Sequence, residues 1–295
     1  MKPNLRKSLF ALVLVIVALT TFGLSYTASA QSQIVIEKQF DWIEQGSVGI
    51  IKVTGPKLAG GVAVVFDRQY PFFATSQGFA SLISVDFRQK INDYPIKVTL
   101  YETDGSKIDW EDTIKVTSGG FIAESDFVLP NNKVNLLNPV IQTNEDARIL
   151  SVFSVVTPER YWDGLFTYPL NGRLGSPFGS VRTFNGGEAR RHTGVDLSAA
   201  AGTPVYASAN GRIVFARPLD IHGNHVIIDH GWGVFSSYSH LSVLYVVPGQ
   251  MVMQGDVIGL SGTTGRSTGP HLHWEIGVNG NWVDPVKFAR VKLPN

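Results

Sequence analysis

All seven histidines of the chain lie between residues 192 and 273: His192, His222, His225, His230, His240, His271 and His273. Two of them are one residue apart, in His271-Leu272-His273. Side chains at i and i+2 of a strand point the same way. The run therefore predicts His271, His273 and Glu275 on one face, with Leu272, Trp274 and Ile276 packed on the other. Upstream, His192-Thr193-Gly194-Val195-Asp196 offers an imidazole and a carboxylate, both acceptable zinc ligands. Gly194 reads as the turn that lets both aim at one point. The chain has no cysteine, so a metal here must be held by His, Asp or Glu. A catalytic zinc commonly takes three protein ligands and keeps a fourth position open. His192, Asp196 and one of His271 or His273 complete that count, and spacing does not choose between the last two. His240 ends the run Val234–His240, where a strand would put Tyr238 and His240 on one face. A histidine free of metal, with its reference pKa near about 6.5, can serve as general acid or base. His222 in a loop, His225 at the start of an apolar strand and His230 before Gly231 read as hydrogen-bonding or solvated side chains.

The elements that must position these residues are mostly strands. The 295 residues are 44% hydrophobic and 17% charged, which excludes a disordered chain and favours two domains. Residues 33–118 hold about seven short β-branched and aromatic runs, separated by turn signals such as Gly55-Pro56 and Asp104-Gly105. That spacing predicts a β-sandwich of immunoglobulin-like type over 31–118. Ser118-Gly119-Gly120 marks its end. A connector follows over 119–165. Asn138-Pro139 reads as an N-cap and first helical residue, and Ile149, Val152, Phe153 and Val156 recur at helical spacing. One amphipathic helix is expected there, with a packing role only. From 166 to 295 the chain reads as glycine-punctuated antiparallel β-sheet, so the fold class is mainly β.

The first thirty residues read as an export signal. Lys2, Arg6 and Lys7 precede an uncharged run from Leu9 to Leu24, and Ala28-Ser29-Ala30 is a small-x-small cleavage site before Gln31. Without the three basic residues, 22 Lys and Arg face 24 Asp and Glu, a net charge of −2. Such a body has no basic footprint for nucleic acid. The expected location is extracytoplasmic, with membrane association only if the leader is retained as an anchor.

The region from 166 to about 290 resembles the lysostaphin/LytM-type zinc metallopeptidases. The resemblance rests on Gly194-Val195-Asp196-Leu197 after His192, Gly202-Thr203-Pro204-Val205, Gly223–Gly231, Tyr238-Ser239-His240-Leu241 and Gly262–Glu275. The N-terminal sandwich is similar, more weakly, to accessory β-domains ahead of such peptidase domains. The resemblance implies one zinc ion bound by His192, Asp196 and His273, with His240 and His271 as unligated catalytic imidazoles. It also implies hydrolysis of peptide bonds in peptidoglycan stems or cross-bridges by zinc-activated water. Glycine-rich segments Gly262–Gly269 and Asn185-Gly186-Gly187 are expected to wall a narrow cleft for such peptides, and Glu275 to orient a neighbour or make an ion pair. The helix-borne H-E-x-x-H of other zinc peptidases is absent.

A rival of another class is a non-catalytic wall-binding protein or hydrolase activator, against which the intact five positions argue. The rhythm of Val247–Gly259 also resembles biotinyl or lipoyl carriers, but no lysine occurs between Val205 and Trp282, which removes that role.

Overall fold

The computed structural model describes residues 34–294, so the export segment read over 1–30 lies outside the described residues. Nine strands precede residue 118: β1 (Val35–Lys38), β2 (Ile43–Glu44), β3 (Val48–Thr54), β4 (Leu58–Val65), β5 (Arg68–Pro71), β6 (Phe73–Thr75), β7 (Gly78–Ser84), β8 (Asp93–Glu102) and β9 (Lys107–Thr117). They form one sheet of order β1-β3-β7-β6 and another of order β2-β9-β8-β4-β5. Ile51, Val53 and Ile83 from the first sheet meet Val98, Leu100 and Ile114 from the second in a shared apolar core. The short strands β5 and β6, on either side of Phe72, were too brief to show as separate apolar runs.

The other face of the first sheet is covered too. Ile50 on β3 and Leu82 on β7 belong to a second cluster, which continues through the connector helix into the C-terminal sheet. Strands buried on both faces lose polar alternation, and Ser81-Leu82-Ile83-Ser84 is fully buried. Phe73 stacks on Trp232 at 5.1 Å. Ser84 donates to the Val278 carbonyl at 2.8 Å, and Asn279 to that of Leu82 at 2.8 Å.

Helix α1 (Pro139–Phe153) starts as the sequence predicts: Asn138 accepts from the Val140 N–H at 2.9 Å, and Pro139 takes the first turn. It stops at Phe153, so Val156 lies beyond the helix and is exposed. A 3-10 segment over Asn131–Leu137, unforeseen from the sequence, precedes it. Among the described residues no helix is long and apolar enough to cross a membrane.

The remaining strands are β10 (Val181–Arg182), β11 (Arg190–Arg191), β12 (Val195–Ser198), β13 (Pro204–Tyr206), β14 (Gly211–Leu219), β15 (Gly223–Gly231), β16 (Val234–Leu241), β17 (Val243–Leu244), β18 (Met251–Val252), β19 (Val257–Leu260), β20 (His271–Val278) and β21 (Asn281–Val283), before a short α2 (Pro285–Phe288). The central sheet is antiparallel throughout, in the order β12-β20-β16-β15-β14-β18, with β21 also on β20. On β20, Leu272, Trp274 and Ile276 are fully buried in the core, as the alternation predicts.

Candidate metal centre

Strand register sets the centre. Asp196 on β12 lies directly opposite His273 on β20, and His273 lies opposite Ser239 on β16. His192 stands just before β12, its backbone N–H held by the Ser180 carbonyl at 2.9 Å. Gly194 is needed for a reason other than a left-handed turn: a Cβ there would strike the Trp274 carbonyl, so glycine lets β12 approach β20. Three donor atoms converge. His192 Nε2 is 2.8 Å from His273 Nδ1 and 3.1 Å from Asp196 Oδ1, and His273 Nδ1 is 2.9 Å from the same oxygen.

The far side of each ligand candidate fixes what it presents. His192 Nδ1 lies 3.0 Å from the Pro177 carbonyl, which accepts its proton and leaves Nε2 as a lone pair. His273 Nε2 lies 3.2 Å from Glu275 Oε1, an ion-pair contact that turns Nδ1 toward the corner. Asp196 turns Oδ1 to the imidazoles while Oδ2 accepts from Arg182 at 2.9 Å. Two imidazole nitrogens and a carboxylate oxygen within about three ångströms repel unless a proton or a metal cation lies between them. Burial, then the Arg182 charge, pushes His192 down to about 4. At His273 burial works the same way, but bonds to Asp196 and Glu275 outweigh it and lift the ring to about 9. Burial opposes ionisation of Asp196, yet His192 and Arg182 hold it well below the usual carboxylate range. The corner stabilises one added positive charge, and the donor set suits a divalent ion such as zinc.

His240 and His271 flank this corner, with ring centroids 4.7 Å apart. Each has Nδ1 tied to a carbonyl: His240 to Thr264 at 2.8 Å, His271 to Gly269 at 2.8 Å. That fixes Nδ1–H and leaves Nε2 of both rings as an acceptor. His271 Nε2 is 3.7 Å from Asp196 Oδ1. Burial, then the neighbouring His271 and His273, keeps His240 well below its ordinary value, so it is a neutral base at pH 7. The expected sharing of a face by Tyr238 and His240 does not hold. His240 adopts φ of 64°, a left-handed conformation rare for a non-glycine residue. The alternation breaks there: Tyr238 stays in the core, bonded to Ser208 and Ser236, while His240 turns toward His271.

The remaining histidines are buried and hydrogen-bonded rather than solvated. His230 is closed at both nitrogens, by the Asn210 carbonyl at 2.8 Å and Ser236 at 2.7 Å. His225 Nδ1 meets Ser239 at 3.0 Å, and its Nε2 has no partner. His222 Nδ1 donates to Glu145 at 2.7 Å. His222, His273 and Glu275 also lie close enough to form a second candidate donor group. Glu275 is fully buried and accepts from Ser237 at 2.6 Å.

Helix α1 does more than pack. Glu145 also accepts from the Ile221 and His222 backbone N–H groups, at 2.6 and 3.2 Å, clamping the loop beside the centre. The sequence carried a signal for this, a lone acid on the apolar stripe four residues before Ile149. Of the two glycine-rich segments, Gly262–Gly269 reaches the centre through Thr264 and Gly269. Asn185-Gly186 instead pairs with residues 126–129, Gly186 donating to Asp126 at 2.9 Å and Leu129 to Asn185 at 2.8 Å.

Residues 190–285, which span this centre, match Peptidase family M23. The chain resembles that family over this stretch, about a third of its length. It is 48% identical over 122 residues to the DD-carboxypeptidase/endopeptidase Mpg of Neisseria meningitidis, covering 40% of this chain and 27% of the relative. It is also 48% identical over 103 residues to the peptidoglycan DD-endopeptidase ShyA of Vibrio cholerae, covering 35% and 23%. The matches thus span about a quarter of these relatives' length. The fold as a whole is shared with a crystal structure presented as a candidate M23 peptidase from Pseudomonas aeruginosa: TM-score 0.61, 23% identity, 84% of this chain and 95% of that one.

Proposed function

We propose that the protein is a zinc-dependent endopeptidase that acts outside the cytoplasmic membrane on peptide bonds of peptidoglycan stems or cross-bridges. One observation carries the reading: two imidazole nitrogens and one carboxylate oxygen meet within 3.1 Å, beside two more imidazoles that each present Nε2. His192, Asp196 and His273 would hold the ion. Zinc there would supply Lewis acidity, making water more acidic and polarising the substrate carbonyl. His240 and His271 do the proton work. Their Nδ1–H bonds to carbonyls orient the rings and leave Nε2 to take a proton from water or pass one to the departing amine. Arg182 fixes the Asp196 carboxylate so that one oxygen faces the corner. The relatives whose names include peptidoglycan or DD-carboxypeptidase activity support the wall peptide as substrate.

The test is digestion of purified sacculi by metal-replete protein, with released amines measured. Chelator-sensitive amine release is expected. No release from protein with zinc measured in place would favour a non-catalytic wall-binding role.

A further inference from the structure

A cavity of about 360 Å³ opens beside the donor corner, and His192, His240 and His273 line part of it. Its other walls come from distant parts of the chain. Arg88 follows β7, Asp146 comes from α1, Arg182, Arg190 and Arg191 come from β10 and β11, and Arg266 comes from the loop before β20. Five arginines therefore line one cavity, with Asp146 the one carboxylate residue among its lining residues.

Three of the five are engaged. Arg88 holds Asp86 through two bonds of 2.9 and 2.8 Å. Arg182 holds Asp196. Arg191 donates to the Gly179 carbonyl at 2.9 Å and lies over the Phe121 ring. Arg190 and Arg266 have no carboxylate within ion-pair distance among the described residues. Arg266 is the sharper case, because its Nη1 is buried without a partner. Its guanidinium lies over Phe184, 5.0 Å from the ring centroid. Burial, then the charges of Arg190 and Arg182, lowers it to about 10. A desolvated guanidinium with an unmet donor is unfavourable until an anion completes it. Its planar fork fits a carboxylate through two parallel bonds.

We propose that Arg266 and Arg190 form a carboxylate subsite, so that the bond cut adjoins a residue with a free α-carboxylate. Interior units joined through both α-groups lack such a group. The residue beyond the scissile bond is therefore C-terminal, or joined to a neighbour through a side-chain amine or a side-chain carboxyl. A phosphate would also satisfy a guanidinium, but this cavity continues into the donor corner, where a peptide carbonyl has to sit. The inference rests on the peptidase reading for the scissile bond, and not for carboxylate binding.

The experiment uses the zinc-loaded chain with His240→Ala, which keeps the peptide intact, and calorimetry with N-acetyl-Lys-D-Ala-D-Ala as free acid and as C-terminal amide. The free acid is expected to bind at least about tenfold tighter. Arg266→Gln and Arg190→Gln should each shrink that ratio while bound zinc and circular dichroism stay unchanged. Equal affinity for acid and amide, or a ratio untouched by both substitutions, overturns the subsite, as does binding of inorganic phosphate with no distinction between the peptides. Turnover of the same pair by the unsubstituted chain is a separate readout. Tight, arginine-dependent acid binding without any turnover keeps the subsite and removes the peptidase.

Discussion

Two groups of imidazoles occupy neighbouring parts of one sheet, and all but His271 are buried. His192, His240, His271 and His273 sit where β12, β16 and β20 converge. His222, His225 and His230 sit on or just before β15. Burial alone does not separate them, since His192 and His230 are both pushed down to about 4 with burial as the leading cause. What differs is the second nitrogen. In the first group one nitrogen is anchored, by a carbonyl or by Glu275, and the other faces a shared space. His230 has both nitrogens anchored and nothing left to offer. His225 stands between these cases, with one nitrogen anchored and the other enclosed without a partner. An imidazole becomes chemical equipment when the fold fixes one end and leaves the other convergent with its neighbours.

The sharpest way to break this contrast is Asp196→Ala. It should empty the corner, with metal content falling to near zero by elemental analysis and amine release from sacculi falling to background. His240→Ala and His271→Ala should each retain the metal and slow release by about 10²–10⁴-fold, the range of a lost acid–base group. Loss of metal in either variant would move that residue into the ligand set. Glu275→Gln keeps the shape but removes the negative charge beside His273 Nε2. Metal affinity, measured by competition with a chromophoric chelator, should weaken by about 10–100-fold.

His230→Gln probes the other side. It should lower thermal stability by about 1–3 kcal/mol through the groups left unpaired at Asn210 and Ser236. Metal content and the rate per folded molecule should not change. That stability also depends on pH. His225 and His230 are held neutral, at about 3 and about 4, by burial first. An unfolded chain binds their protons below about 6.5. Their contribution is therefore complete above that pH and is lost as pH falls toward 4 and then 3. The melting temperature should drop across this window, and less steeply in His230→Gln. A parallel drop in both proteins would mean His230 is not among the groups responsible.

Much of the centre was legible because its signals are local. Alternation over 271–278 placed His271, His273 and Glu275 together, and the Asn138-Pro139 cap placed α1. The left-handed φ of His240 was not legible, because strand alternation assumes every residue stays extended. The role of Glu145 was not legible, because its partners, Ile221 and His222, lie about 76 residues away in sequence.

By themselves, residue types and spacing determined which groups could hold a metal, that any metal must be held without sulfur, and that strands would carry the centre. Those properties follow from donor chemistry and from the two-residue period of a strand. Only the tertiary structure decided that Asp196 stands opposite His273, that His240 turns out of its strand, and that an arginine-walled cavity opens beside the corner. Each of these depends on strand register, on a single backbone dihedral, or on side chains from Arg88 to Arg266 meeting across the fold. Chain-local patterns hold none of that information, because it arises only when sheets pack and exclude water.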